Sequence, residues 1–380
     1  MQKIIAFFKK ELMLTVALVA AIASLFITPP SKALLSDIDW HTLATLFMML
    51  TVLEGFKKEN IFRPIIRLTS KLGSMLGLSF FLVFAVFFSS MFVTNDVSLI
   101  IFVPLTILLF RAGNKEKYIL PVITFENIAA IRGSLLTPFG SPQNLFLYAK
   151  SGLSALEFML LMLPLWLMSA ALLSAFICFL YRKNIKETIS FSAEEVSAEW
   201  TKDGRIKRIA WLCLFALILW TIVSRTQYWY IVTAVVAVAV LFVDRKILVK
   251  TDYVLLLTFF CFFVFSSSLT ANEAISSFLS KTVANREYLW GILLSQLISN
   301  VPASIVLYPF TVNLKALLYG ADTAGLCSLI GSLASVINYR IYVREYPKNG
   351  RRFIKVFTLI SLAFFALVVL PGYFISRGGI

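Results

Sequence analysis

Long apolar runs, punctuated by short polar breaks, occupy almost the whole chain. Runs at 11–28, 40–56, 156–181, 209–224, 228–244, 252–268 and 353–375 are each long enough to cross about 30 Å of hydrocarbon as a helix. They are continuous rather than alternating, which excludes a membrane β-barrel and predicts an all-α polytopic membrane protein. Four further apolar stretches are interrupted. Phe80 to Phe110 is broken by Thr94-Asn95-Asp96, and Leu289 to Phe310 by Ser299-Asn300-Val301-Pro302. The span 117–149 contains Thr137-Pro138-Phe139-Gly140-Ser141-Pro142-Gln143-Asn144, and the span 317–342 contains Gly331-Ser332 and Asn338. Two prolines and a glycine keep the first of these spans from being regular helix. The pattern predicts about nine transmembrane helices, two of them broken, and two re-entrant hairpins at 75–110 and 288–312.

Composition agrees. Charged residues make up 14% of the chain, against roughly 25% in a soluble domain. The net charge of +15 would suit nucleic acid, but its placement excludes that partner: Lys and Arg cluster in short loops beside apolar runs, as they do on the cytoplasmic side of a membrane. With each hairpin entering and leaving on one side, only Lys32, Lys150, Arg225, Lys281, Arg286, Lys315 and Arg377 fall outside. The basic N-terminus (Lys3, Lys9, Lys10) is then cytoplasmic and the C-terminus outside. Lys71 and Arg111 flank the first hairpin; a single crossing of 75–110 would collapse the bias. No small-residue cleavage site precedes Pro29-Pro30, so the first span is expected to be uncleaved. The expected location is the cell (cytoplasmic) membrane, with the lipid bilayer as partner.

The same layout contains an internal repeat. Asp37-Ile38-Asp39-Trp40 and Lys250-Thr251-Asp252-Tyr253 each open a span. An amphipathic stretch (Lys57 to Lys71; Ala271 to Glu287), a hairpin, a broken span and a final span follow in each case. Residues 1–181 form the first unit, 182–227 a cytoplasmic loop and linking helix, and 228–380 the second unit. The first unit starts inside and the second outside, so they are inverted. The segment Ser190 to Asp203 is too short and polar for a separate domain.

Irregular backbone at membrane depth must be buried in protein or line a wet cavity. Broken helices leave carbonyls free to ligate a cation, and their N-terminal amides face an anion. Thr94, Asn95, Ser299 and Asn300 add hydroxyls and amides, which also serve to glue helices together. Asp96, Glu126 and Arg132 are ionisable residues in apolar surroundings, and such groups are costly to keep there. Asp96 could bind a cation, carry a proton or cap the second arm of its hairpin. Glu126 and Arg132 do not share a helix face; Arg132 could attract an anionic substrate or neutralise Asp96 or Glu126. Glu54 and Asp322 read as interfacial residues near span ends. Cys178, Cys213, Cys261 and Cys327 read as buried small hydrophobes without metal or disulfide spacing, and the Trp residues as interfacial anchors. No nucleophile–base pair or metal cluster appears, so an enzyme is not expected.

Phe92-Val93-Thr94-Asn95-Asp96-Val97, Thr137-Pro138-Phe139-Gly140-Ser141-Pro142-Gln143-Asn144 and Ser295-Gln296-Leu297-Ile298-Ser299-Asn300-Val301-Pro302 resemble motifs of the ion transporter superfamily. That group includes arsenite permeases, citrate permeases, divalent anion/sodium symporters and sodium/proton antiporters of similar build. Gly331-Ser332-Leu333-Ala334-Ser335 resembles its fourth motif, and the resemblance covers nearly the whole chain. It implies an inverted-repeat scaffold, a central site at the hairpin tips, a homodimer and an elevator-like movement. Carried over, Thr94, Asn95, Gly140 and Asn144 form one half-site and Ser299, Asn300, Gly331 and Ser332 the other, with Thr137, Ser141 and Asp96 in the same motifs. Sodium is expected at Asn95, Gly140, Asn300 and Gly331. The divalent-anion branch carries Ser-Asn-Thr at both tips; here Thr94-Asn95-Asp96 looks closer to the arsenite-permease-like branch. The expected function is secondary transport of a small anion or oxyanion by alternating access, coupled to Na+ or H+ and without a further cofactor. The alternative is a Na+/H+ antiporter exchanging on Asp96 and Glu126.

Overall fold

Hydrophobic stretches this long can satisfy their backbone only as helices, and the computed structural model is helical throughout. It describes residues 11–29, 34, 36–61, 68–190 and 204–378. Lys3, Lys9, Lys10 and Lys32, used above for orientation, lie outside those residues, as do Arg63, Arg67, the loop 191–203 with Lys202, and the side chain of Lys71. Among the described residues there is no strand beyond a single bridge between Ser74 and Thr188.

In chain order, α1 is Leu12–Ile27, α2 Trp40–Lys58, α3 Met75–Val93, α4 Asn95–Ala112, α5 Ile119–Gly133, α6 Pro142–Ser151, α7 Ala155–Tyr181 and α8 Gly204–Ser224. Then follow α9 Trp229–Asp244, α10 Lys246–Lys250, α11 Tyr253–Ala271, α12 Glu273–Val283, α13 Glu287–Ile298, α14 Asn300–Leu307, α15 Leu314–Ala324, α16 Leu333–Glu345 and α17 Gly350–Arg377. Six of these, α3, α4, α7, α8, α11 and α17, are long and apolar enough to cross a membrane. The arms of the first hairpin (α3, α4) are therefore span-length: at 19 and 18 residues each reaches about 28 Å. Those of the second (α13, α14) have 12 and 8 residues.

Burial separates an inner from an outer set of helices. Of the most apolar window, 61% is buried in α4 but only 22% in α8 and 28% in α17, so the hairpin lies inside while α8 and α17 present apolar faces outward. Cys178 and Cys213 are exposed on such outer helices and only Cys261 is buried, correcting the expectation that all four cysteines are core residues. Trp211 likewise departs from the interfacial reading: it is 1% exposed, packed where α8 meets α2.

Several features occur twice. Asp39 caps α2 by accepting from the Thr42 amide, and Asp252 caps α11 by accepting from the Leu255 amide, both at 2.9 Å. The first arm of each hairpin packs along the first half of a broken helix, α3 on α5 and α13 on α15. Both pairs need glycine at the crossing. A Cβ on Gly133 would lie 1.9 Å from the Phe87 carbonyl oxygen, and one on Gly320 would lie 2.4 Å from that of Tyr288. Below the first hairpin, residues 182–190 form a clasp: Glu187 accepts from Lys115 at 2.9 Å and from Tyr118, and its carbonyl accepts from the Met75 amide. Burial alone would raise the Glu187 carboxyl, but hydrogen bonds from Tyr118, Lys115 and Lys117 more than reverse this and hold it at about 2.

Candidate functional site

Each hairpin turns on a single residue. Thr94 joins α3 to α4 at φ +70°, ψ +156°, and Ser299 joins α13 to α14 at φ +70°, ψ +159°. This backbone region belongs essentially to glycine, and a side chain there costs on the order of 1–3 kcal/mol. The same strain at both tips marks them as positions where geometry outweighs stability. A turn this short leaves the first amides of α4 and α14 at the tip, without helical partners.

The broken helices are set against these tips. Between α5 and α6 the chain folds back so tightly that a Cβ on Gly140 would meet the Ser134 carbonyl oxygen at 2.1 Å; between α15 and α16, Gly331 stands in the same relation to Ala324 at 2.3 Å. Ser141 and Ser332 then open α6 and α16 from extended backbone, neither using its side chain as a cap. The Thr137 hydroxyl donates to the Met91 carbonyl, fixing the first break beside the end of α3. The Asn300 amide donates to the Gly331 carbonyl at 3.2 Å, fixing the second hairpin to the second break. Gln296 donates to the Ala324 carbonyl at 3.1 Å and accepts from Ser328 at 2.7 Å.

Side chains lock the two breaks to each other. Asn127 of α5 donates to Ser335 of α16 at 3.0 Å, and Asn338 of α16 donates to the Ile123 carbonyl of α5 at 2.7 Å. Gln143 of α6 donates to the Asp322 carboxylate of α15 at 3.0 Å. Arg132, fully buried, donates to Ser169 at 2.9 Å and to the Asp322 carbonyl at 3.1 Å. It thus reaches Asp322 through the main chain, and hydrogen-bonds neither Asp96 nor Glu126. Asp322 is 1% exposed, so the interfacial reading of it is corrected. Asn313 caps α15 and starts it at Leu314, which puts Asp322 in the last turn before the break rather than near a span end. Glu126, also fully buried, accepts from Thr106 of α4 on one carboxylate oxygen, and its other oxygen has no partner.

Of the site residues expected from sequence, only Thr94 and Asp96 keep partial exposure. Both line one cavity of about 110 Å³ together with Ser141, Glu54, Lys57 and Asp252. Asp96 sits inside the first turn of α4, with one carboxylate oxygen buried and unpartnered. It is not the helix cap; Thr94 holds that position. Asn95 turns its carbonyl oxygen onto the Asp96 amide at 2.9 Å. Ser141 Oγ, Asn144 Oδ1 and Asn300 Nδ2 are further buried polar atoms without a partner. Asn144 donates to the Leu135 carbonyl at 3.3 Å. Ser299, Asn300, Gly331 and Ser332 are buried away from this cavity, and only Ile337 reaches it from the second broken helix. Sequence reasoning missed Lys57 and Asp252 because each looked like an ordinary span-end charge. Gln143 was visible in its motif, but its partner lies 179 residues away.

Buried helices broken opposite each other, with strained turns and orphaned polar atoms between them, define a multi-pass membrane protein with a solute-sized polar centre. Residues 4–331 match the citrate transporter family, and the chain belongs to that family. It is 32% identical over 358 residues to the inner membrane protein YbiR of Escherichia coli, covering 92% of this chain and 91% of that protein. It is 31% identical over 340 residues to an uncharacterized transporter of Methanocaldococcus jannaschii, covering 88% and 89%. The protein is a membrane transporter, not an enzyme.

Proposed function

We propose that the protein is a secondary active transporter of a small carboxylate or oxyanion, coupled to Na+ or H+. The Asp96 cavity carries this reading. Its walls bring together three carboxylates (Glu54, Asp96, Asp252) and one lysine (Lys57, paired with Glu54), an excess of negative charge that suits the coupling cation. The anion is assigned to the helix N-termini, which attract negative charge. Those of α4 and α6 border the cavity, and those of α14 and α16 are joined through Asn300 and Gly331. Citrate, named by the family, is the first substrate to test. Sodium is assigned to Asn95, Gly140, Asn300 and Gly331 as the alternative to protonation of Asp96.

The paired caps, hairpins, breaks and glycine contacts support an inverted repeat over 1–181 and 228–380. We assign the Asp96 cavity to the cytoplasmic side because Lys57, at the end of α2, is among the basic residues that favour an N-terminus inside and a C-terminus outside. The hairpins and broken helices move as one body against α1, α2 and α11 in an elevator-like step, within a homodimer. The antiporter reading is weaker, because Glu126 faces Thr106 rather than the cavity of Asp96.

Proteoliposome uptake of radiolabelled citrate, succinate and phosphate, with and without Na+ or pH gradients, tests the reading. Saturable, gradient-driven uptake that is lost in Asn95→Ala and Asn300→Ala is expected. Cation exchange in the absence of any anion would establish the antiporter instead.

A further inference from the structure

A second cavity, of about 260 Å³, lies at the opposite end of α2 from Lys57, against the C-terminal ends of α6 and α8. His41, Thr42, Tyr148 and Arg225 line it, and each has a buried polar atom without a partner: Nε2, Oγ1, the phenol oxygen and Nε respectively. Thr42 and Tyr148 are only 1% exposed. Buried polar groups are paired in the great majority of cases, so four orphans around one cavity are unlike ordinary packing.

Charge gives the ligand its sign. Arg225 lies over the Tyr148 ring, 4.2 Å from its centroid, and donates to the Tyr148 carbonyl at 2.7 Å, leaving its Nε free of a partner. The acid that faces His41, Asp39, is already paired with Lys150 at 2.9 Å and caps α2. With Asp39, Lys150 and Arg225 as the charged neighbours of His41, the cavity carries an excess of one positive charge. Arg225 is also held at φ +50°, a strained conformation for a side-chain-bearing residue. Around it, Trp40, Tyr228 and Tyr230 are exposed and Trp229 packs on His41 at 5.7 Å. Such an aromatic girdle belongs at the boundary of membrane and water, where a dissolved anion can reach the cavity. Leu145, 5% exposed, lines this cavity and the Asp96 cavity alike.

We infer that this cavity is a reception site for the carboxylate or oxyanion group of a small solute, separated from the Asp96 cavity by Leu145. The inference rests on the transport reading above for its role, but anion binding can be measured without transport. Thr42→Val and Tyr148→Phe each remove only an orphaned oxygen, so a purely structural role predicts unchanged or improved stability and unchanged kinetics. In proteoliposomes, KM for uptake from the face of this cavity is expected to rise about 3–10-fold in each variant, with kcat and thermal stability held. Wild-type KM in the double variant would overturn the inference while leaving the transport reading intact. Where the wild type accumulates none of the three anions, the transport reading fails, and binding of radiolabelled citrate and phosphate to the full chain in nanodiscs decides this one. Binding that persists in Asn95→Ala/Asn300→Ala and disappears on adding Thr42→Val/Tyr148→Phe upholds it. Binding indifferent to those two substitutions, or no binding at millimolar anion, overturns it.

Discussion

In the first hairpin Thr94 turns the chain at φ +70°, ψ +156°, and in the second Ser299 does so at φ +70°, ψ +159°. An asparagine follows each turn. Beyond it the two part: Asp96 lines a cavity and keeps one carboxylate oxygen unpartnered, whereas Val301 is packed away at 4% exposure. The arms differ too, with 19 and 18 residues against 12 and 8. A shared backbone device has thus been given one ionisable tip and one neutral tip. Backbone geometry conserves the corner, and side chains divide the labour between the halves.

The largest effect should come from removing that division. Asp96→Asn is expected to cut gradient-driven uptake by at least about tenfold, as loss of a charge-assisted cation contact does, while Val301→Asn leaves the coupling ion unchanged. Equal losses from both would refute the asymmetry. Next in size are the crossings at which each hairpin meets its broken helix. Gly133→Ala should destabilise by about 2–3 kcal/mol and Gly320→Ala by about 1–2 kcal/mol, in the order of their contacts at 1.9 and 2.4 Å; thermal unfolding in detergent ranks them. Smaller and opposite in sign, Thr94→Gly and Ser299→Gly should each stabilise by up to about 1 kcal/mol by relieving φ strain. Similar shifts at the two tips would show that the turns carry the same strain. Smallest is the clasp under the first hairpin, where Glu187 comes from outside the hairpin; at the base of the second, Glu287 of its own first arm accepts from the Val312 and Asn313 amides instead. The Glu187 carboxyl is lowered from 4.5 to about 2 on folding, so its contribution is complete above about pH 4.5 and fades as pH falls toward 2. Glu187→Gln should therefore lower the melting temperature by a few degrees at pH 7, and the gap to wild type should narrow below pH 4.5.

Much of this was legible in the pattern. Thr94-Asn95-Asp96 and Ser299-Asn300-Val301-Pro302 stand out because small polar residues interrupt runs that are otherwise apolar, and Pro138, Gly140 and Pro142 announce a break by their backbone chemistry. What the pattern could not show was partnership. Arg132 meets Asp322 and Gln143 meets it too, across 190 and 179 residues, and nothing local to either side announces such a contact. Asp322 was misplaced because Asn313 starts its helix earlier than the apolar run does. Lys57 was hidden among basic residues whose bulk serves to orient the chain.

The Asn300 amide rests on the Gly331 carbonyl, main chain against main chain, so the donor of this seam between hairpin and break is an atom pair that every residue except proline possesses. Side-chain substitutions at the tip can then change the groups presented there without unpicking that seam.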